Sequence, residues 1–252
     1  MWEILAAAAM VCFGTYYFLN KKKHRRIALA CKAFATAMPG LLLIRYALRT
    51  GLIRFGTVPS GSAGAAGCQE LSGISAAAFW FTLAAIVFYM AADVLLECRF
   101  VLGAVSFAAG HILMSAGILL GTADAGSFVE AGWVRFLCFA LILFCVYAGA
   151  ACFILRSFIP HLRAKKLFLP AAAYIVVLSM MAACAGAAGL LRGGVSGAAL
   201  ALGGISFVVS DVLLGQNRLG RKRSRVKGAA VLVLYYLAVY LLVISYLVNQ
   251  VR

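Results

Sequence analysis

Acidic residues are scarce in this chain, with seven Asp and Glu against 23 Lys and Arg in 252 residues. Charged residues of both signs make up only 12%, where a soluble domain carries roughly 25%. So few charges cannot coat a water-facing surface of this size, which excludes an ordinary soluble fold. There is also no CxxC, and no Cys/His pair has metal-ligand spacing, so neither a metal nor a redox cofactor is expected. The eight cysteines (Cys12, Cys31, Cys68, Cys98, Cys138, Cys145, Cys152 and Cys184) lie mostly inside apolar runs, where Cys behaves as a small hydrophobe. Cys138, Cys145 and Cys152 recur every seven residues along one helix face, and packing is the expected reason. The start Met1-Trp2-Glu3 lacks the basic segment of a cleaved signal peptide. No aromatic and basic reading surface of the nucleic-acid modules is present. The net charge of +16 therefore points to membrane topology and anionic lipid.

Apolar residues dominate, at 65% of the chain, and the mean hydropathy is +1.03. A helix needs ~20 mostly apolar residues to cross a bilayer. Eight stretches qualify: Met1 to Leu19, Ile27 to Leu48, Ile74 to Leu96, Val101 to Leu120, Val134 to Leu155, Phe168 to Leu191, Ser196 to Leu214 and Val226 to Val248. The Gly/Ser/Ala-rich stretch Gly56 to Gly73 and the segment holding Asp124 and Glu130 read as loops. The expectation is an all-α integral membrane protein, a bundle of about eight helices forming one domain over residues 1–252.

Basic residues alternate between connections. Lys21, Lys22, Lys23, His24, Arg25 and Arg26 fill the first. Arg99 marks the third, Arg163, Lys165 and Lys166 the fifth, and Arg218, Arg221, Lys222, Arg223, Arg225 and Lys227 the seventh. The even-numbered connections hold mainly Arg49, Arg54 and Arg192. The positive-inside rule then puts the odd connections in the cytoplasm and both termini outside the cell membrane. Gly117 with Gly121, and Gly193 with Gly197, have the small-xxx-small spacing of close helix packing. Ala92-Asp93-Val94-Leu95-Leu96 also matches Ser210-Asp211-Val212-Leu213-Leu214. Both segments end spans of the same direction, as a parallel four-helix duplication would produce.

Three charges fall inside spans, where insertion scales put the cost at roughly 2.5–3.5 kcal/mol each: Lys32, Asp93 and Asp211. Counted from the expected span ends at 1.5 Å per residue, the aspartates lie roughly 5 Å and Lys32 roughly 8 Å below the basic ends. They are expected to share one layer and one cavity. The alternative is that Lys32 snorkels and the aspartates pair with basic neighbours. His111 is expected deeper, with Tyr235 and Tyr236 at a similar depth, either as a packing residue or as a partner of the carboxylates. Arg45 and Glu97 mark helix ends, while His24 and His161 look solvated. Two poorly solvated carboxylates side by side do not both ionise readily, so one can act as a general acid. A vinyl ether just below a lipid phosphate needs such an acid, and the basic loops suit the phosphate.

The same residues carry a resemblance. Ser196-Gly197-Ala198 through Phe207-Val208-Val209-Ser210-Asp211, then Tyr235-Tyr236-Leu237-Ala238, resemble segments of the YhhN family, which includes the vertebrate lysoplasmalogenases. Asp93-Val94-Leu95-Leu96 with Gly103, Phe107 and His111 resemble another segment, and Lys32, Thr36, Pro170, Tyr174 and Met180 fall at expected positions. Ala33, Ala92, Met114 and Val239 depart from the pattern. The resemblance implies lysoplasmalogenase activity on a lysophospholipid with vinyl-ether linkage. Asp93 and Asp211 are then the catalytic pair, supported by Lys32, His111, Ser210, Tyr174, Tyr235 and Tyr236. A transporter or lipid-handling protein without covalent chemistry is the alternative, and a structural membrane protein a third. Cysteines introduced near Lys22, Lys165 and Arg223 should resist impermeant thiol labelling in intact cells, and labelling of any one from outside breaks the expected topology.

Overall fold

Lipid supplies no hydrogen bonds, so a chain this apolar must satisfy its backbone within each crossing segment, and helices do so. The computed structural model describes residues 1–52, 75–124, 132–220 and 223–248. The expected loop at 56–73, with Arg54, Cys68, Glu130, Arg221 and Lys222, lies outside the described residues. The helices are α1 (Trp2–Asn20), α2 (Arg25–Arg49), α3 (Ala76–Cys98), α4 (Phe100–Asp124) and α5 (Gly132–Leu155). A 3-10 turn over Arg156–Phe158 follows, then a short α6 (Ile159–Ala164), α7 (Phe168–Arg192), α8 (Gly194–Leu219) and α9 (Arg225–Val248). Eight of them are long and apolar enough to cross a membrane. The chain is a multi-pass membrane protein.

Several helices outrun their expected spans. α4 continues past Leu120 to Asp124 and α8 past Leu214 to Leu219. Hydropathy falls where polar residues begin, but Gly215, Gln216, Asn217 and Arg218 still form helical hydrogen bonds, and the helix stops at Gly220. α3 starts where its side chain permits, with Ser75 Oγ accepting from the Ala78 N–H at 3.1 Å as an N-cap.

Packing divides the helices into a ring and two outriders. α2, α3, α4, α7, α8 and α9 contact one another in that circular order, with α9 closing on α2. α1 lies outside against α2 and more lightly α9, and α5 lies outside against α7 and more lightly α8. The first four helices and the set α5, α7, α8, α9 thus repeat the same pattern of neighbours. α5 being peripheral, Cys138, Cys145 and Cys152 are exposed on its surface rather than packed against a neighbour. That corrects the packing expected of them, since a heptad face needs a partner helix and this one meets lipid.

The α7–α8 hairpin shows what small residues do here. Gly193 and Gly194 both have positive φ, 63° and 58°, a conformation that costs glycine nothing, and they turn the chain without an intervening loop. Gly193 is thus a turn residue, not half of a packing pair. Gly197 instead meets Gly189 across the hairpin, where an added Cβ would lie 2.2 Å from the Gly189 carbonyl oxygen. The two backbones touch, and no side chain can give way. Gly197→Leu should cost roughly 3 kcal/mol and lower the melting temperature in detergent by about 6–12 °C. Gly149→Ala, with nothing within 4 Å of the added carbon, should leave it unchanged.

Candidate functional site

Polar side chains inside the ring fall into two adjoining niches, each centred on one aspartate. Lys32 and Thr36 stand one turn apart on α2 and face Asp93 on α3. Lys32 Nζ lies 3.1 Å from Asp93 Oδ1 and also donates to the Asp93 carbonyl at 3.4 Å. Asp93 Oδ2 accepts from Thr36 Oγ1 at 2.5 Å and from the Tyr235 hydroxyl of α9 at 3.1 Å. Side-chain exposure is 9% for Lys32 and 1% for Asp93. The lysine does not snorkel to the surface. The aspartate holds it in the interior, and two helices, α2 and α9, contribute the donors that satisfy the carboxylate.

Asp211 on α8 has different company. Tyr174 of α7 donates a short hydrogen bond to Asp211 Oδ2. His111 of α4 places Nε2 3.3 Å from the Tyr174 oxygen and 3.8 Å from Asp211 Oδ2. Its other ring nitrogen, Nδ1, is 2.9 Å from the Tyr89 hydroxyl of α3. The His111 side chain is fully buried and that of Asp211 is 7% exposed. With Tyr174 donating to Asp211, the Tyr174 oxygen can accept from a proton on His111 Nε2, and Tyr89 can then donate to Nδ1.

The niches obey the repeat. Asp93 is held by α2 of its own half and α9 of the other, and Asp211 by α7 of its own half and α4 of the other. Lys32 and Tyr174 occupy near-equivalent turns of α2 and α7, and Tyr235 and His111 near-equivalent turns of α9 and α4. The two carboxyl sites thus hold matching places in the two halves, one with a cationic partner and the other with a phenolic one.

Between them stand aromatic rings. Phe207 packs 4.6 Å from His111, 5.2 Å from Tyr89 and 5.5 Å from Tyr235, centroid to centroid. Phe107 lies 5.5 Å from Tyr235 and 5.6 Å from Tyr89. No hydrogen bond joins the two carboxyls, so they are neighbours across this wall rather than a dyad sharing a proton. Asp93 and Asp211 stand at matching positions, each 17 residues after the first residue of its helix, Ala76 of α3 and Gly194 of α8.

Two expected supporting residues point elsewhere. Ser210 gives its hydroxyl to the Val231 carbonyl at 3.0 Å, joining α8 to α9. Tyr236 donates to the Lys32 carbonyl at 3.4 Å, under the lysine rather than at a carboxylate. The sequence reading missed Tyr89 and Tyr17. Tyr89 stands four residues before Asp93, on the same face of α3, and that spacing was its available signal. Tyr17, whose ring lies 5.3 Å from Lys32 Nζ, carries no such mark. No group of three or more His, Cys, Asp or Glu among the described residues could hold a metal ion.

A family model described as the YhhN family matches residues 31–246, taking in every side chain of both niches. The chain belongs to the YhhN family. No curated protein and no solved structure matches it significantly. Within this YhhN family member the matched region begins next to Lys32 and ends past Tyr235, so α1 with Tyr17 lies wholly outside it.

Removing one partner of a buried ion pair strands the other charge, at roughly 3–5 kcal/mol. Lys32→Met should therefore lower the detergent melting temperature clearly, while Lys32→Met with Asp93→Leu should recover much of the loss. Equal losses in single and double variants would show that the pair does not hold α2 to α3.

Proposed function

We propose that this protein hydrolyses the vinyl-ether bond of a lysoplasmalogen, releasing a fatty aldehyde and a glycerophospho-alcohol. Family membership supports a hydrolase of this type. The observation that carries the reading is the unlike company of two carboxyls in one apolar interior. Asp93 accepts from an ammonium, a hydroxyl and a phenol, which suits a carboxylate that stays ionised. Asp211 ends a chain whose members can each donate or accept: Tyr174, His111 and Tyr89. With a proton on Asp211, Asp211 donates to Tyr174, which turns its own O–H to His111 Nε2; with that proton gone, Tyr174 turns its O–H to the carboxylate, so the phenol pairs with Asp211 in either protonation state.

Asp211 is the general acid in this mechanism. It protonates the β-carbon of the vinyl ether. The π electrons form the new C–H bond, and positive charge spreads over the adjoining carbon and the ether oxygen. The Asp93 carboxylate stabilises that oxocarbenium ion electrostatically, and the faces of Phe107 and Phe207 add a weaker attraction for a cation. Water adds to the cationic carbon and its proton returns to Asp211. The hemiacetal then breaks its C–O bond, giving aldehyde and alcohol with one water consumed.

Mass spectrometry of lipids incubated with purified protein tests the reading. Wild type should release aldehyde from a vinyl-ether lysolipid and none from its saturated alkyl-ether analogue, which cannot form the cation by protonation. Asp211→Asn and Asp93→Asn should each lower turnover by about 100-fold or more. If both variants turn over like wild type, these carboxyls are not catalytic. A folded wild type that releases no aldehyde with any headgroup would point instead to lipid handling without covalent chemistry.

A further inference from the structure

Directly beyond the Lys32–Asp93 pair, at the basic end of the bundle, side chains from separate connections gather round one carboxylate. Glu97 stands one turn past Asp93 on α3. Its Oε1 accepts from Arg218 Nη2 at 2.8 Å and from the Tyr17 hydroxyl at 2.9 Å. Arg25 Nη2 donates to the Glu97 carbonyl at 2.9 Å. Lys21 Nζ lies 5.4 Å from the Tyr17 ring centre and 5.6 Å from that of Phe18. The Tyr17 ring is thus near two ammonium groups, those of Lys21 and Lys32. The hub is open to water, with side-chain exposures of 20% for Arg218 and 27% for Glu97.

The charges do not balance. Lys32 is committed to Asp93, which leaves Lys21, Arg25 and Arg218 against Glu97, three positive charges to one negative. A clamp on Glu97 needs only one arginine. Lys21 registers the excess: burial chiefly, and repulsion from Arg218, Lys32 and Arg223, hold its ammonium below the usual lysine range, against the attraction of Glu97. An anion of one or two negative charges would relieve that repulsion. A phosphate ester fits, because guanidinium forks match its oxygens and an ammonium adds a point charge.

The spacing fits a lysophospholipid. Glu97 lies four residues beyond Asp93, a rise of about 6 Å. In a glycerophospholipid, five bonds of about 1.5 Å separate the phosphorus from the ether oxygen, roughly 6 Å when extended. A phosphate at the level of Glu97 therefore brings the ether oxygen to the level of Asp93.

We propose that Lys21, Arg25 and Arg218 form a phosphate-ester receptor at the basic mouth of the bundle. Resting on the function proposed above, this receptor seats a lysophospholipid headgroup so that its ether bond reaches the carboxyl niches. Lys21, in the first connection, and Arg25, at the start of α2, lie before the family-matched residues.

Binding tests the receptor without relying on turnover. The ligands are a saturated alkyl-ether lysophospholipid and the alkylglycerol of the same chain length, which lacks only the phosphate ester. Each is titrated into the full chain in neutral detergent. The lysophospholipid should bind at least about tenfold more tightly, a gap equivalent to about 1.4 kcal/mol. Lys21→Gln and Arg218→Gln should each remove most of that gap and leave alkylglycerol affinity unchanged. Lys21→Gln is the cleaner variant, since Arg218→Gln also breaks the ion pair with Glu97. Soluble glycerol phosphate should compete only weakly; competition as strong as the lysolipid's would make the ligand a free phosphate ester and overturn the lipid assignment. Equal affinity for the two lipids, or a Lys21→Gln variant that weakens both alike, overturns the receptor. Selective phosphate binding by a protein that releases no aldehyde would sustain the receptor while removing the hydrolytic reading.

Discussion

An ammonium and a carboxylate 3.1 Å apart, with 9% and 1% of their side chains exposed, constrain much of the interior. Neither ion is tolerable there alone, because a buried unpaired charge costs several kcal/mol. The pair is tolerable because Thr36 and Tyr235 complete the carboxylate's hydrogen bonds. Those donors come from α2 and α9, so satisfying Asp93 also sets how three ring helices sit. Tyr236 then braces the Lys32 carbonyl from below. Much of what fixes the α2–α3–α9 side of the ring is polar, inside a bundle whose outer surface is apolar.

The opposite side of the ring met the same constraint differently. Asp211 has no cation equivalent to Lys32 and relies on Tyr174 and His111. An ion pair is at its best in one protonation state. A phenol can pair with a carboxyl in two. In the proposed reaction this difference assigns the roles, with the anion on the Lys32 side and the proton carrier on the His111 side. Two-fold duplication alone would have made two equivalent carboxyls with no reason to divide the work.

Depth links the niches to the membrane surface. The Glu97 hub lies at the partly exposed basic end of the bundle, and Asp93 lies one turn further inside along α3. A lysolipid has the same order of chemistry: charged phosphate, glycerol ether, then hydrocarbon. The helix rise of 1.5 Å per residue is the common ruler.

The hydropathy of the chain was sufficient for the eight crossings, because the cost of placing each residue in lipid is local and adds along the segment. The same local cost marked Lys32, Asp93 and Asp211 as residues that needed a reason to be buried. The segments around Asp93, His111, Asp211 and Tyr235 also made the family legible. Choice of partner is not local. That Lys32 would meet Asp93 and not Asp211, that Ser210 would turn to Val231, and that Tyr89 would reach His111 depended on which helices became neighbours in the ring. Glu97 read as an interface marker until the fold brought Tyr17, Arg25 and Arg218 to it from distant positions. Only the tertiary structure decided these pairings, because hydrogen-bond satisfaction in a buried niche is set by geometry among helices whose separation in sequence carries no information about their distance in space.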